Sequence, residues 1–270
     1  MLDSIRIESQ MISLEAFAPS QGLKAITDRL PGLVSRVTEF VGEKFAGKAS
    51  DFKLVDAQKS VAALKLLSYG DARTMTLYKS VGQSVSFMEL LSVLEDIQSG
   101  LIDRMLSEAL VPFDTWLAIQ LTNPEQLSSV RHGRSIPGFI EHDIDRYTKR
   151  LAACYDKTTE STTELSKVIA RLSDWPAIVK RSNELANKAM STPRKDIVTI
   201  TERITANLNT LIERIKSPDS NLELSGATMA ALATICYNLA REIEFYSVFM
   251  YKVQMHCQAI DDNARIFADK

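Results

Sequence analysis

Apolar residues recur at spacings of three and four along most of this chain, which predicts a mainly α protein. The clearest run is the last. Leu232, Cys236, Leu239, Ile243, Tyr246, Met250, Val253, Cys257, Ile260, Ala264 and Phe267 alternate steps of four and three. That heptad seam, with no glycine or proline after Gly226, predicts one helix over about 223–268. Two cysteines, a tyrosine and an alanine stand in it, and Ile235 and Phe249 widen it. A face so broad and mixed suits bundle packing better than a two-stranded coil. Leu239, Ile243, Tyr246, Met250, Val253 and Ile260 are its expected packing or interface residues.

Further back, helices are expected over 139–157 (Ile140, Ile144, Tyr147, Leu151, Cys154), over 161–190 and from Thr192 to Ser217. The second would open at the capping box Ser161-x-x-Glu164 and kink at Pro176. In the third, Thr192 caps and Pro193 takes the first position. Ser86-x-x-Glu89 opens a long helix whose stripe runs Phe87, Leu91, Leu94, Ile97, Leu101, Met105 and Ala109, with a kink at Pro112 and a stop at Asn123-Pro124. Helical pieces are also expected at 20–47, broken near Pro31, and at 51–68. Only Thr74–Val81 alternates with period two, as a short strand does. Residues 1–19 lack strong periodicity and read as an extended arm or leader, and 128–139, with its Gly-Pro-Gly sprinkle, reads as a loop. The expected domains are therefore the arm 1–19, a helical region 20–127 with a short β element, the loop 128–139, and a bundle region 140–270. The architecture predicted is an elongated bundle of about six to eight helices.

Composition agrees. Ten glycines and eight prolines in 270 residues fall well below the average share of about 12%, as long helices with few turns require. A formal charge of −2 makes no global case for nucleic acid or an anionic membrane. No apolar run approaches the ~18 residues of a membrane span, and no basic stretch precedes an apolar core as in a secretory signal. The cysteines, Cys154, Cys236 and Cys257, form no CxxC pair and are odd in number, so no disulfide framework is expected.

Candidate chemistry is sparse. Glu141-His142-Asp143 are neighbours that cannot share a helix face. His256 and Cys257 point about 100° apart on a helix, which spoils a nucleophile–base hydrogen bond. Phosphate-binding glycine loops and nucleophile elbows are missing. No enzyme, cofactor or metal is therefore expected. The one local charge bias is basic: Arg171, Lys180, Arg181, Lys188, Arg194 and Lys195 outnumber Asp174 and Glu184. Of these, Lys180, Arg181, Lys188, Arg194 and Lys195 are candidate phosphate contacts, although no aromatic residues interleave for base stacking.

The segment Glu8–Phe17, ESQMISLEAF, resembles the N-terminal pattern of structural and head-interior virion proteins of giant phiKZ-like bacteriophages. Within it Ser13-Leu14-Glu15, followed by Ala16, looks like the small-x-Glu signal read by the prohead proteases of such phages. A short β-like segment, then long helices, one ending in Leu121-Thr122-Asn123-Pro124-Glu125, is similar too. The resemblance implies a non-enzymatic virion structural protein, made in the host cytoplasm and partnered by other virion proteins or by copies of itself in a homo-oligomer. The alternatives are a phage-encoded interaction protein that redirects a host enzyme and a nucleic-acid-packing protein. No membrane partner is expected.

Overall fold

The computed structural model describes residues 1–17, 28–45, 76–122, 141–157, 162–164, 169, 171–190, 192–217 and 225–268. The chain is mainly helical, with a long C-terminal helix and one small two-stranded sheet. It divides into two compact units, each drawn from three separated stretches: 1–48, 104–141 and 195–247 in one, 49–103, 142–194 and 248–270 in the other. The expected pieces at 20–27, 46–75 and 128–139 lie outside the described residues.

The first unit opens with helix α1, Leu2–Phe17, where an extended arm was expected. Ile5, Ser9, Ile12 and Ala16 are buried, and Ser9 Oγ donates to the Ala233 carbonyl at 2.7 Å. On the other side Ile7, Met11, Leu14 and Phe17 face solvent. Two apolar stripes on opposite faces cancel in any periodicity count, which is why the segment looks patternless as a sequence. Helix α2, Leu30–Phe45, packs on α1 and buries Leu33, Val34 and Val37, with the ion pairs Glu8–Arg36 and Glu15–Arg29 joining the two helices. Pro31 falls in its first turn, where a missing N–H costs nothing, so it starts the helix rather than breaking it.

Pro112 is accommodated differently. Between α3, Phe87–Ile97, and α4, Val111–Thr122, the backbone stays helical through two π-helical turns, Gln98–Ile102 and Met105–Leu110. Ile97, Leu101, Met105 and Ala109 are all buried. Three consecutive steps of four would drift about 40° each around a 3.6-residue helix. The wider i→i+5 turns absorb that drift and keep all four on one line. The first unit is completed by α7, Thr192–Lys216, and the opening half of α8, Gly226–Ala268. Arg203 of α7 clamps the carboxylate of Asp114, buried in α4, with Nε at 3.0 Å and a second bond from its terminal nitrogen.

In the second unit, Ser86 Oγ accepts the Glu89 amide and caps α3 as its sequence predicts. Helix α5, Glu141–Ala153, buries Ile144, Tyr147 and Leu151. The phenol of Tyr147 lies where a Cβ at Gly100 would be, so the first π turn is held open against α5. Strand β1, Thr76–Tyr78, pairs antiparallel with β2, Thr162–Glu164, in the register Leu77↔Thr163. Thus Thr162–Glu164 is strand where the first turn of a helix was expected: paired β-branched threonines take the extended form. Helix α6 begins later, at Trp175, and runs to Met190 after a 3-10 turn, Leu172–Asp174, with Pro176 in its first turn rather than at a kink. The turn after β1 is zipped to the end of α5, where Gly82, at φ +78°, accepts the Asp156 amide at 2.6 Å.

Candidate functional site

The six seam residues share one helix, α8. Leu239, Ile243, Tyr246, Val253 and Ile260 are buried within the chain, and Met250 is half-buried. Helix α8 therefore uses its broad face as core.

The chemistry-bearing residues of α8 are buried with it. His256 is fully buried and neither ring nitrogen has a hydrogen-bond partner. The Phe87 ring meets it edge-on at 6.0 Å and meets Trp175 at 6.5 Å. Burial pushes the imidazole down to about 3. Next to it, the Cys257 Sγ is 3.3 Å from Ser182 Oγ, and burial raises this thiol to about 11 despite that contact. Cys236 is raised to about 12, again by burial. A neutral imidazole without a proton partner beside a thiol that does not ionise near neutrality makes a packing cluster, not a nucleophile and base.

A second cluster surrounds Tyr155, whose Cα pairs with Gln83 across a β-bridge. Lys252 of α8 places Nζ 3.5 Å from the centre of the Tyr155 ring. Partial burial lowers the ammonium and raises the phenol. The lysine stacks on the ring face, which stabilises the cation without bringing it to the hydroxyl.

Three of the candidate basic residues are paired with carboxylates. Arg181 grips Glu95, with Nε at 3.0 Å from one oxygen and a second bond to the other, and these bonds raise its guanidinium above the usual range. Lys188 lies 2.7 Å from Asp103, and Lys180 3.8 Å from Glu184. Arg194 and Lys195 lie in the first turn of α7, and their side chains are outside the description. Lys180, Arg181 and Lys188 thus each have a carboxylate beside them. Among the described residues no group of three His, Cys, Asp or Glu side chains could hold a metal, and no helix is long and apolar enough to cross a membrane.

Ser13, Leu14, Glu15 and Ala16 occupy the last turn of α1. Leu14 is 72% exposed, Ala16 is buried, and both Glu15 oxygens accept from Arg29 Nη1, at 3.0 and 3.1 Å. Leu14 and Phe17 here are the most exposed large apolar side chains among the described residues. Ile7, Met11, Leu14 and Phe17 form a single ridge, and Phe17 is as exposed as Leu14. An extended arm or leader, as the weak periodicity of residues 1–19 predicts, has no such ridge; the spacings of four, three and three carry the signal for it. No family model, curated protein or solved structure matches the chain.

Proposed function

We propose that this chain is a non-enzymatic structural protein of a large phage particle, head-interior or particle-associated, acting by helix packing and by association with itself or neighbouring virion proteins. The observation that carries the association is the outward ridge of α1. A helix that buries one apolar stripe and leaves a second in water is built to be covered. The virion context comes from the resemblance of Glu8–Phe17 to phiKZ-like virion proteins. The pairing of Lys180, Arg181 and Lys188 with carboxylates favours protein partners over nucleic acid.

The test is mass spectrometry of purified particles. Recovery of the chain at structural abundance is the expected result, and a peptide starting at Ala16 would report processing. Absence from particles, with abundance in infected-cell lysate, overturns the virion assignment in favour of an interaction protein acting on a host enzyme.

A further inference from the structure

We infer that Lys252, on the part of α8 in the second unit, is a modification site whose amine takes an acyl group from an activated acyl donor, an acyl phosphate or a thioester. Such a site stands whether or not the chain belongs to a particle.

Lys252 differs from other lysines of the chain in what faces its ammonium. Lys44, Lys180 and Lys188 each have a carboxylate beside them, from Glu244, Glu184 and Asp103. Lys252 has two phenol rings instead. Its Nζ lies 3.5 Å from the centre of the Tyr155 ring and 5.9 Å from that of Tyr251. Among the described residues no carboxylate comes within ion-pair distance of it, and no acceptor within hydrogen-bond distance. The platform under it is fixed. Tyr155 is bridged to Gln83, its amide donates to the Ala152 carbonyl at 3.0 Å, and the Asp156 amide donates to the Gly82 carbonyl at 2.6 Å. Burial raises the Tyr155 phenol, so it stays neutral and supplies no anion.

A half-buried ammonium over two rings has lost part of its water, and the ring faces return only part of what that water gave. Burial outweighs the rings here and lowers the ammonium. At a given pH more of Lys252 is then neutral amine than an exposed lysine offers, and the neutral amine is the nucleophile. Its lone pair forms an N–C bond to the acyl carbonyl carbon. The C–O bond of the acyl phosphate, or the C–S bond of the thioester, breaks; phosphate or thiolate leaves with the electron pair, and the extra proton on nitrogen passes to water. The amide formed carries no charge, so its half-buried position no longer costs desolvation of an ion. Lys252 keeps partial exposure beside the half-exposed Tyr251, and a small donor reaches it from that side. An anion held by Lys252 is the weaker reading. The nearby hydroxyls of Tyr155 and Ser80 are enclosed, which leaves a single ammonium to hold it.

The experiment incubates the full chain with acetyl phosphate, and separately with acetyl-coenzyme A, at about pH 8, and follows each lysine by peptide mass spectrometry. Lys252 is expected to be acetylated at least about threefold faster than Lys149, which is exposed on α5, with at least one of the two donors. The donor that reacts names the source of the acyl group. In denaturing urea the advantage should vanish, because the same amine is then solvated like any other. Labelling of Lys252 no faster than Lys149 with both donors, or an advantage that survives in urea, would overturn the proposal. Labelling slowed selectively at Lys252 by added inorganic phosphate, and slower there than at Lys149 without it, would overturn it in favour of a bound anion.

Discussion

Asn263 holds Tyr78 by both of its backbone groups. The carboxamide oxygen accepts the Tyr78 amide at 2.8 Å and the carboxamide nitrogen donates to the Tyr78 carbonyl at 2.8 Å, across 185 residues of sequence. Asn263 is fully buried, so α8 offers β1 the donor–acceptor pair that a further strand would have offered. A sheet of two three-residue strands is marginal alone, and this clamp supplies what it lacks.

Replacing Asn263 by Leu leaves the part-buried Tyr78 amide and carbonyl without their side-chain partners. Each costs about 1–3 kcal/mol when left unpaired, and the variant is expected to lose roughly 2–4 kcal/mol in urea unfolding. Faster hydrogen exchange at the Tyr78 amide would localise the damage. Unchanged exchange there would mean that the clamp does not hold the strand.

Acid sensitivity should concentrate in His256. Its native value near 3 lies below the unfolded value of about 6.5, so between these limits the unfolded chain binds the extra proton. Stability contributed by the neutral ring is complete above pH ~6.5 and is lost as pH falls toward 3, at up to about 1.4 kcal/mol per unit. Urea midpoints of wild type and His256→Phe should diverge across this window, with the variant flatter. Parallel curves would refute the assignment.

At Gly100 two effects oppose each other. Alanine in a helix interior gains about 1 kcal/mol over glycine, but its Cβ would sit 3.1 Å from Tyr147 Cζ and closer still to the phenol oxygen. Overpacking costs about 1–3 kcal/mol, so Gly100→Ala should destabilise. In the Tyr147→Leu background the same change should become neutral or favourable. The double-mutant cycle reads the difference, and additive effects would show that the phenol does not hold the π turn.

The three thiols should be silent in the native protein. All are buried and all are raised by burial, so Ellman's reagent at pH 8 should react only after denaturant is added. Prompt modification of one cysteine under native conditions would mean that its helix opens locally.

The parts of the fold legible in the sequence are those where one face is apolar and the other polar. The cap at Ser86, the buried stripe of α5 and the span of α8 belong to this class. Helix α1 was hidden because both faces are apolar, and β2 because three residues carry too little pattern and its partner lies over 80 positions upstream. The π turns have their own trace in the sequence, three i+4 steps in succession at Ile97, Leu101, Met105 and Ala109. Asn263 left none, since a lone asparagine on a helix is ordinary until its partner is known.

Helix α1 is locked in place at its far end as well. Gly226 meets the Ala16 carbonyl so closely that no Cβ fits between them, and the Ser13–Ala16 turn is wound into that contact. A protease that cut after Glu15 would need extended chain there, so it would have to act before α1 folds or during rare unwinding of its final turn. Release of the first fifteen residues would then expose the surface that Ile5 and Ile12 now cover. Processing in this protein would be a commitment made early, by a race between enzyme and helix, and not a trimming of the completed fold.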